Sequence, residues 1–188
     1  VDARREADGD VARDVRTIVA SVRDEGDAAV AAFTEKFDGH DLNETGWRIE
    51  RAECVAALDA LAPELRAALD LAHARITAYH ERQRPTDSET TDTAGVRTGA
   101  RLRAVDAAGI YVPGGRAAYP SSVLMNAIPA RVAGVERLVM VTPTPKGAVN
   151  PLVLAAAALV EADEVWRVGG AQAIAALAYG TDRIKPVD

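Results

Sequence analysis

The sequence predicts an α/β fold: an N-terminal helical segment followed by an incomplete Rossmann-like parallel sheet with helices on its faces. Two observations lead to this prediction. Apolar residues recur at helical spacing through the first third of the chain. In the second half, short β-branched runs alternate with apolar helical segments. That alternation is typical of parallel strands joined by helices that cover both faces of the sheet.

The composition bounds the class of protein. A chain of 188 residues with 48% hydrophobic residues is long enough for one domain with a real core, or for one domain with a helical appendage. The formal net charge of −6 disfavours general nucleic-acid binding. The N-terminal residues lack the apolar region of a signal peptide, and the longest apolar run, residues 151–160, is too short to span a bilayer. We therefore expect a cytoplasmic protein that binds small molecules rather than nucleic acid or membranes.

Four helices are predicted in the N-terminal third. Gly26 separates the first two helices, and Asp27 is the expected N-cap of the second. Asp38-Gly39 ends that second helix. The third helix is expected from about Arg51, and the fourth from Pro63, a residue type that suits the first turn of a helix.

A polar segment divides the chain. Residues 85–95 are rich in Ser, Thr and Asp, so we interpret them as a loop or hinge. This places an N-terminal helical region at residues 1–84 and a Rossmann-like α/β domain at residues 96–188. Directly after the loop, residues 96–105 alternate well enough to predict a hairpin strand.

The predicted α/β domain contains four strand signals and three helical segments. Pro129 lies inside the first of these helices, where we expect a kink rather than two helices. The strand signals lie at residues 110–112, 138–142, 164–168 and, more weakly, 184–187, and the helical segments at about 121–133, 151–161 and 171–179. Because the chain reaches residue 188 just after a strand signal, we expect the sheet to be incomplete and the chain to be part of a longer protein.

Two strand-to-helix turns define the expected ligand site. The first contains Gly114 and Gly115, and the second contains Gly169 and Gly170. The first N–H groups of a helix lack partners and carry a partial positive charge, so an anionic ligand fits there. Glycines let the backbone approach such a ligand. Neither turn has the G-x-G-x-x-G pattern of dinucleotide-binding proteins, so each by itself is more often a structural connection.

Three side chains near these turns are candidate ligand contacts. Tyr111 precedes the first turn and can stack on a planar ring. Gln172 follows the second turn and offers both a donor and an acceptor. Arg116 can contact a phosphate or can equally be solvated, and both interpretations stay open. Parallel sheets bind ligands at the carboxyl ends of their strands, where these residues are expected to lie.

Other polar residues are better explained by structure than by chemistry. Ser121 and Ser122 are interpreted as helix N-caps, because no histidine follows His80 to act as a base. His73 and His80 are two helical turns apart, about 10 Å, which disfavours a metal site. Cys54, the only cysteine, lies in an apolar helical pattern and is expected in the core. The residues by themselves thus indicate a nucleotide cradle without a recognisable acid, base, nucleophile or metal site.

Four stretches of the chain resemble the histidinol dehydrogenase family. The two longest are GIYVPGGRAAYPSSVLMNAIPARVAGVERLVMVTP, residues 109–143, and VWRVGGAQAIAALAYGTDRIKPVD, residues 165–188. The helical third contributes VRDEGDAAVAAFTEKFDG, residues 22–39, and AHARITAYHERQ, residues 72–83. Because the similarity runs over nearly the whole chain, the chain is identified as a member of that family.

The resemblance implies an enzyme that depends on NAD and zinc and oxidises L-histidinol to L-histidine through histidinaldehyde, in two hydride transfers. It also implies a homodimer with one zinc ion in each active site. Tyr111 and Gln172 match family residues that contact NAD. The family's zinc ligands and catalytic acid–base residues lie beyond the position of Asp188, so none can be assigned in this chain. We expect this chain to be the N-terminal half of the enzyme and to be inactive alone.

Two alternatives to this interpretation stay open. The chain can be a naturally short, noncatalytic nucleotide-binding or assembly module with the same fold. It can also belong to a related dehydrogenase that acts on another amino alcohol, because the residues that select the substrate are expected mostly outside these 188 residues.

Overall fold

The computed structural model describes residues 2–114 and 119–188, with side chains from residue 10 onward. Arg116, a candidate phosphate contact, lies outside the described residues. The elements in chain order are α1 (Asp2–Glu25), α2 (Asp27–Asp38), α3 (Leu42–Thr45), β1 (Arg48–Ile49), α4 (Arg51–Asp59), α5 (Pro63–Glu81), β2 (Ser88–Thr91), β3 (Arg97–Ala100), β4 (Ala107–Tyr111), α6 (Pro120–Ala133), β5 (Arg137–Val141), a 3₁₀ turn (Pro145–Gly147), α7 (Pro151–Leu159), β6 (Glu164–Trp166) and α8 (Gly170–Tyr179).

The main sheet has four strands in the order β1-β6-β5-β4. Strands β4, β5 and β6 are parallel, and each successive strand lies beside the one before it. Short β1 closes the other edge and runs antiparallel to β6, with Arg48 opposite Trp166. Helices α6 and α7 connect the parallel strands, as the α/β prediction requires. The predicted fold class is confirmed.

Strand β5 is buried on both faces and divides the core into two layers. Leu138 and Met140 pack with residues of α4, α6 and α7 on one face. Val139 and Val141 pack with residues of α1, α2 and α8 on the other. Side chains alternate between the faces of a strand, so a strand covered on both sides has to be apolar throughout. This explains why the β5 signal is a continuous apolar run.

The N-terminal helices begin and end close to the expected residues. Helix α2 ends at Gly39, which takes the left-handed conformation with φ 59°, and Pro63 begins α5. One detail is wrong: Gly26, with φ 59°, holds the N-cap position of α2, and Asp27 is the first helical residue. The reason is backbone geometry, because the chain reverses there in a conformation that glycine adopts without strain.

The N-terminal region contributes to the same sheet as the second half. Strand β1 pairs with β6, and α1 and α2 both contact α8. Neither β1 nor the four-residue α3 was expected, because both are too short to produce a periodic pattern. The division into residues 1–84, 85–95 and 96–188 stays a prediction.

The polar segment 85–95 contains a strand where a loop was expected. Strand β2 pairs antiparallel with β3, which confirms a hairpin strand within residues 96–105. The Asp92 carboxylate closes the turn between them by accepting the N–H groups of Ala94 and Val96. All residues of β2 are exposed, so this strand has no apolar face to mark it in the sequence. Threonine favours strands even when it is exposed to solvent. The polar composition of residues 85–95 nevertheless led to the prediction of a loop.

The weak strand signal at residues 184–187 is also wrong, because these residues form no strand. Ile184 is fully buried, but its N–H is bound by the Thr181 hydroxyl in a local turn. Pro186 has no N–H to offer a neighbouring strand. The apolar residues there are explained by burial against the core layer that contains α8, not by strand pairing. By contrast, α6 is one helix through Pro129 rather than two, as expected, and the kink there stays a prediction.

A charged cluster joins β5 and β6 at the edge opposite the glycine turns. The Glu164 carboxylate accepts hydrogen bonds from Arg137 Nε at 2.8 Å and Trp166 Nε1 at 2.9 Å. Burial by itself raises the pKa of the Glu164 carboxyl. The hydrogen bonds from Arg137 and Trp166, with the positive charges of Arg137 and Arg48, outweigh burial and leave this pKa below its usual value. The ionised carboxylate therefore stabilises the folded chain.

Replacing Glu164 with Gln should lower the free energy of unfolding near neutral pH by about 1–2 kcal/mol, because charge-assisted hydrogen bonds are lost. The lowered pKa determines how this contribution to stability depends on pH. It is fully present above the unfolded-state pKa of about 4.3 and is lost as the pH falls through the lower folded-state pKa. Urea unfolding at several pH values measures the difference. Glu136→Gln, at an exposed position just before β5, is the control and should change little. A Glu164→Gln effect that persists unchanged in acid would contradict this explanation.

Candidate functional site

The carboxyl ends of β4, β5 and β6 meet at one edge of the sheet. Tyr111 ends β4, Thr142 follows β5, and the turn after β6 leads through Gly169 into α8. Helices α6, α7 and α8 therefore begin at this edge. Ligands of parallel α/β sheets bind at such an edge, since helix N-termini and loop backbone converge there.

Pro143 lies between the two glycine turns. A Cβ atom on Gly114 would lie 2.6 Å from the Pro143 carbonyl oxygen, and one on Gly169 would lie 2.3 Å from Pro143 Cβ. Both distances are far below van der Waals contact. These two glycines are thus explained by packing of the turns on Pro143, whereas the sequence suggested that they make room for a ligand.

Tyr111 is held against the second glycine turn. Its hydroxyl oxygen accepts the N–H of Gly170, the first residue of α8, at 3.3 Å. Its side chain is half-buried and packs against the core layer that contains α8. Tyr111 and the second turn, which were separate candidates in the sequence, therefore form one unit. Stacking of Tyr111 on a planar ring stays a prediction.

Gln172 lies beneath the same turn rather than in open solvent. Its side chain is 1% exposed, and its Oε1 atom has no hydrogen-bond partner among the described residues. A Cβ atom on Gly170 would lie 2.5 Å from that oxygen, and Gly170 has φ +62°. Buried carbonyl oxygens nearly always have a donor, so this orphaned atom marks a place where a ligand donor would be stabilised.

A cavity of about 550 Å³ opens beside these turns, on the α7 side of the sheet edge. Its size is within the range of pockets that hold small molecules. Asn150 lies at its wall and caps α7, with its Oδ1 accepting the Leu152 N–H at 2.9 Å. The described residues that line it are Pro113, Gly114, Thr142, Pro143, Pro145, Ala148, Val149, Asn150, Pro151 and Val153. Neither Tyr111 nor Gln172 belongs to this lining.

The loop after β5 was missed by sequence reasoning. Thr142, Pro143 and Asn150 all line the cavity, but none carries a charge or a recognisable motif. A signal was present, since the loop follows a predicted parallel strand and must lie at the same edge as the glycine turns. That signal is weak by itself, because these three residues are neither titratable nor part of a glycine turn.

Other candidates have structural roles. Ser121 and Ser122 were expected as N-caps of α6, but this is wrong: Tyr119 precedes the helix and Pro120 takes its first position. A proline at this position needs no N–H partner, which moves the cap upstream of both serines. Cys54 is buried in the core as expected, and burial raises the pKa of its thiol to about 11.

No metal site or membrane span is found in the described part of the chain. Within residues 10–114 and 119–188, whose side chains the structure describes, no three His, Cys, Asp or Glu side chains are grouped so that they could hold a metal ion. His73 and His80 are accordingly not part of such a group. Among the helices that the structure describes, none is long and apolar enough to cross a membrane.

The fold and the candidate site together define an α/β protein with a candidate ligand-binding geometry, a cavity and glycine turns, at the carboxyl ends of a parallel sheet. Comparison with known proteins gives its relationship. The family model described as histidinol dehydrogenase matches residues 2–188, and the chain belongs to the histidinol dehydrogenase family. The resemblance that the sequence showed is thereby confirmed.

The related proteins are considerably longer than this chain. It is 63% identical to the histidinol dehydrogenase of Zymomonas mobilis over 188 residues, which are 100% of this chain and 44% of that protein. It is 59% identical to that of Ruegeria pomeroyi, covering 99% of this chain and 43% of that protein. The crystal structure of histidinol dehydrogenase from Elizabethkingia anophelis superposes with a TM-score of 0.87 at 34% identity, covering 95% of this chain and 41% of that one.

The packing on Pro143 can be tested with Gly169→Ala. The added methyl group would overlap Pro143 Cβ, and we expect the free energy of unfolding to fall by about 3 kcal/mol. Gly95→Ala is the comparison: Gly95 has φ +85° but open space around its Cβ position, so only backbone strain of about 1 kcal/mol is expected. Chemical denaturation measures both. Equal losses for the two variants would show that Pro143 does not set the requirement for Gly169.

Proposed function

We propose that this chain is the N-terminal part of an NAD-dependent, zinc-requiring histidinol dehydrogenase. The whole enzyme oxidises L-histidinol to L-histidine through histidinaldehyde in two hydride transfers. The observation that supports this most strongly is the family match across residues 2–188, together with 63% identity to the Zymomonas mobilis protein over the full chain. The whole enzyme is proposed to be a cytoplasmic homodimer.

The residues at the sheet edge fit NAD. The N-terminus of α8 carries a partial positive charge that suits a diphosphate, and Tyr111 is fixed beside it by accepting the Gly170 N–H. The orphaned Oε1 atom of Gln172 accepts a hydrogen bond from the cofactor. Tyr111 and Gln172 therefore hold NAD in this proposal, and the neighbouring cavity of about 550 Å³ takes a further part of it.

NAD supplies the oxidising chemistry by accepting a hydride at its nicotinamide ring. What this chain contributes is binding and orientation, since its described residues at the sheet edge offer backbone amides, the amide side chains of Asn150 and Gln172, hydroxyl groups and apolar groups. The described residues do not fit a zinc ion, because no suitable group of ligands is present among them. We propose that the zinc ligands and the acid–base residues belong to the part of the longer relatives that this chain does not cover.

An activity assay distinguishes this chain from the proposed whole enzyme. We expect no NADH formation from L-histidinol with residues 1–188 alone, and robust NADH absorbance with the full-length protein and zinc. Turnover by a preparation that mass spectrometry shows to contain only these residues would overturn the proposal.

The coding sequence after the Asp188 codon is a second check: a stop codon there would favour the noncatalytic module. A panel of amino alcohols given to the full-length enzyme tests the substrate.

Tyr111→Ala tests the cofactor contact. Loss of the ring and of its bond to Gly170 should weaken NAD affinity by roughly tenfold in the full-length enzyme, as isothermal titration measures. Tyr179→Ala is the matched control. Tyr179 is the last residue of α8, the helix that begins at Gly170, and it lies away from the glycine turns and is 53% exposed. Equal NAD affinity in the two variants would remove Tyr111 from the proposed site.

A further inference from the structure

The wall of the cavity is held from outside by the end of α2. Asp38, the last residue of α2, accepts the backbone N–H of Thr144 on its Oδ2 atom at 3.2 Å. Thr144 is fully buried, and its own hydroxyl has no partner among the described residues. Among the described residues, the hydrogen bond to Asp38 is thus the polar contact that links Thr144 to the N-terminal region. The segment that Thr144 belongs to, residues 142–150, supplies most of the cavity lining; we call it the β5 loop.

A second contact supports the same loop two residues after its 3₁₀ turn begins. His40 is 5% exposed, and its Nε2 atom is hydrogen-bonded with the Thr45 hydroxyl at 2.8 Å, which fixes the ring. The other side of the ring lies against Gly147, where a Cβ atom would be 3.1 Å from His40 Nδ1. Arg167 also donates to the Gly147 carbonyl, at 3.3 Å. Gly147 thus lies so close to the His40 ring that a side chain there would crowd it.

The loop needs such support because its backbone is not in a preferred conformation. Lys146 has φ 56° and Gly147 has φ 76°, so two successive residues are left-handed. For a residue with a side chain, this conformation costs about 1–2 kcal/mol. The conformation therefore persists because surrounding contacts hold it, and Asp38 and His40 provide contacts on either side of Lys146.

We propose that Asp38 and His40 are positioning residues of the ligand site: they set the shape of the cavity wall although neither lines the cavity. Asp38 aligns the loop at Thr144, and His40 limits how far Gly147 can move toward the end of α2. The N-terminal helical region then contributes to cofactor affinity through the loop, without touching the cofactor. This inference rests on the proposed function, in which NAD occupies the cavity.

Substitutions at Asp38 in the full-length enzyme test the proposal. Asp38→Ala removes the acceptor and should raise the KM and Kd for NAD about three- to tenfold, as expected for one lost hydrogen bond. The kcat at saturating NAD and the KM for L-histidinol should change less than about twofold. Asp38→Asn keeps an oxygen in the same place and should restore most of the affinity. Glu35→Ala removes an exposed carboxylate from the same helix and should have no effect.

The outcomes are separable. Unchanged KM and Kd for NAD in Asp38→Ala, or equal losses in kcat and in both KM values, would overturn the positioning role. If Asp38→Ala does not fold, Asp38→Glu decides, since it keeps the charge but moves the carboxylate by one methylene: a raised KM for NAD supports the proposal and a wild-type KM overturns it. If the wild-type enzyme itself binds no NAD, the proposed function fails. If the wild-type enzyme binds NAD and the Asp38 variants bind it equally well, only this inference is overturned.

Discussion

The contact of both glycine turns with Pro143 is the constraint on which the ligand edge depends. Gly114 and Gly169 belong to turns far apart in the chain, and either turn would be displaced by a single methyl group. Pro143 is itself fixed because it follows β5, the strand that is buried on both faces. The central strand therefore sets the positions of the helix N-termini on both sides. Whatever binds at this edge meets a scaffold that packing has already arranged.

The helices of the first third act at this edge although they lie outside it. They cover the sheet, add strand β1, and present Asp38 and His40 to the loop after β5. Packing and polar contacts thus extend from the N-terminal region to the cavity wall. Such contacts leave no periodic trace in a sequence, because each joins single backbone and side-chain groups.

Sequence reasoning succeeded where local chemistry determines structure. Gly39 and Pro63 marked helix boundaries because φ preferences act on single residues, and the apolar run of β5 marked a doubly covered strand. It failed for the exposed strand β2 and for residues 184–187, where exposure and burial contradicted the usual link between hydrophobicity and strand pairing. Tyr111 and Gln172 are candidates in the sequence, but only the structure places both at the turn around Gly170.

By itself, the sequence determined the fold class, most helix boundaries, the two glycine turns and the family to which the chain belongs. Only the tertiary structure decided why the glycines are there, that Tyr111 bonds to the N-terminus of α8, and that the Gln172 oxygen is buried without a donor. The physical reason is the range of the interactions. Turn and helix preferences act within a few residues, whereas steric contact and orphaned polar atoms depend on residues brought together from distant parts of the chain.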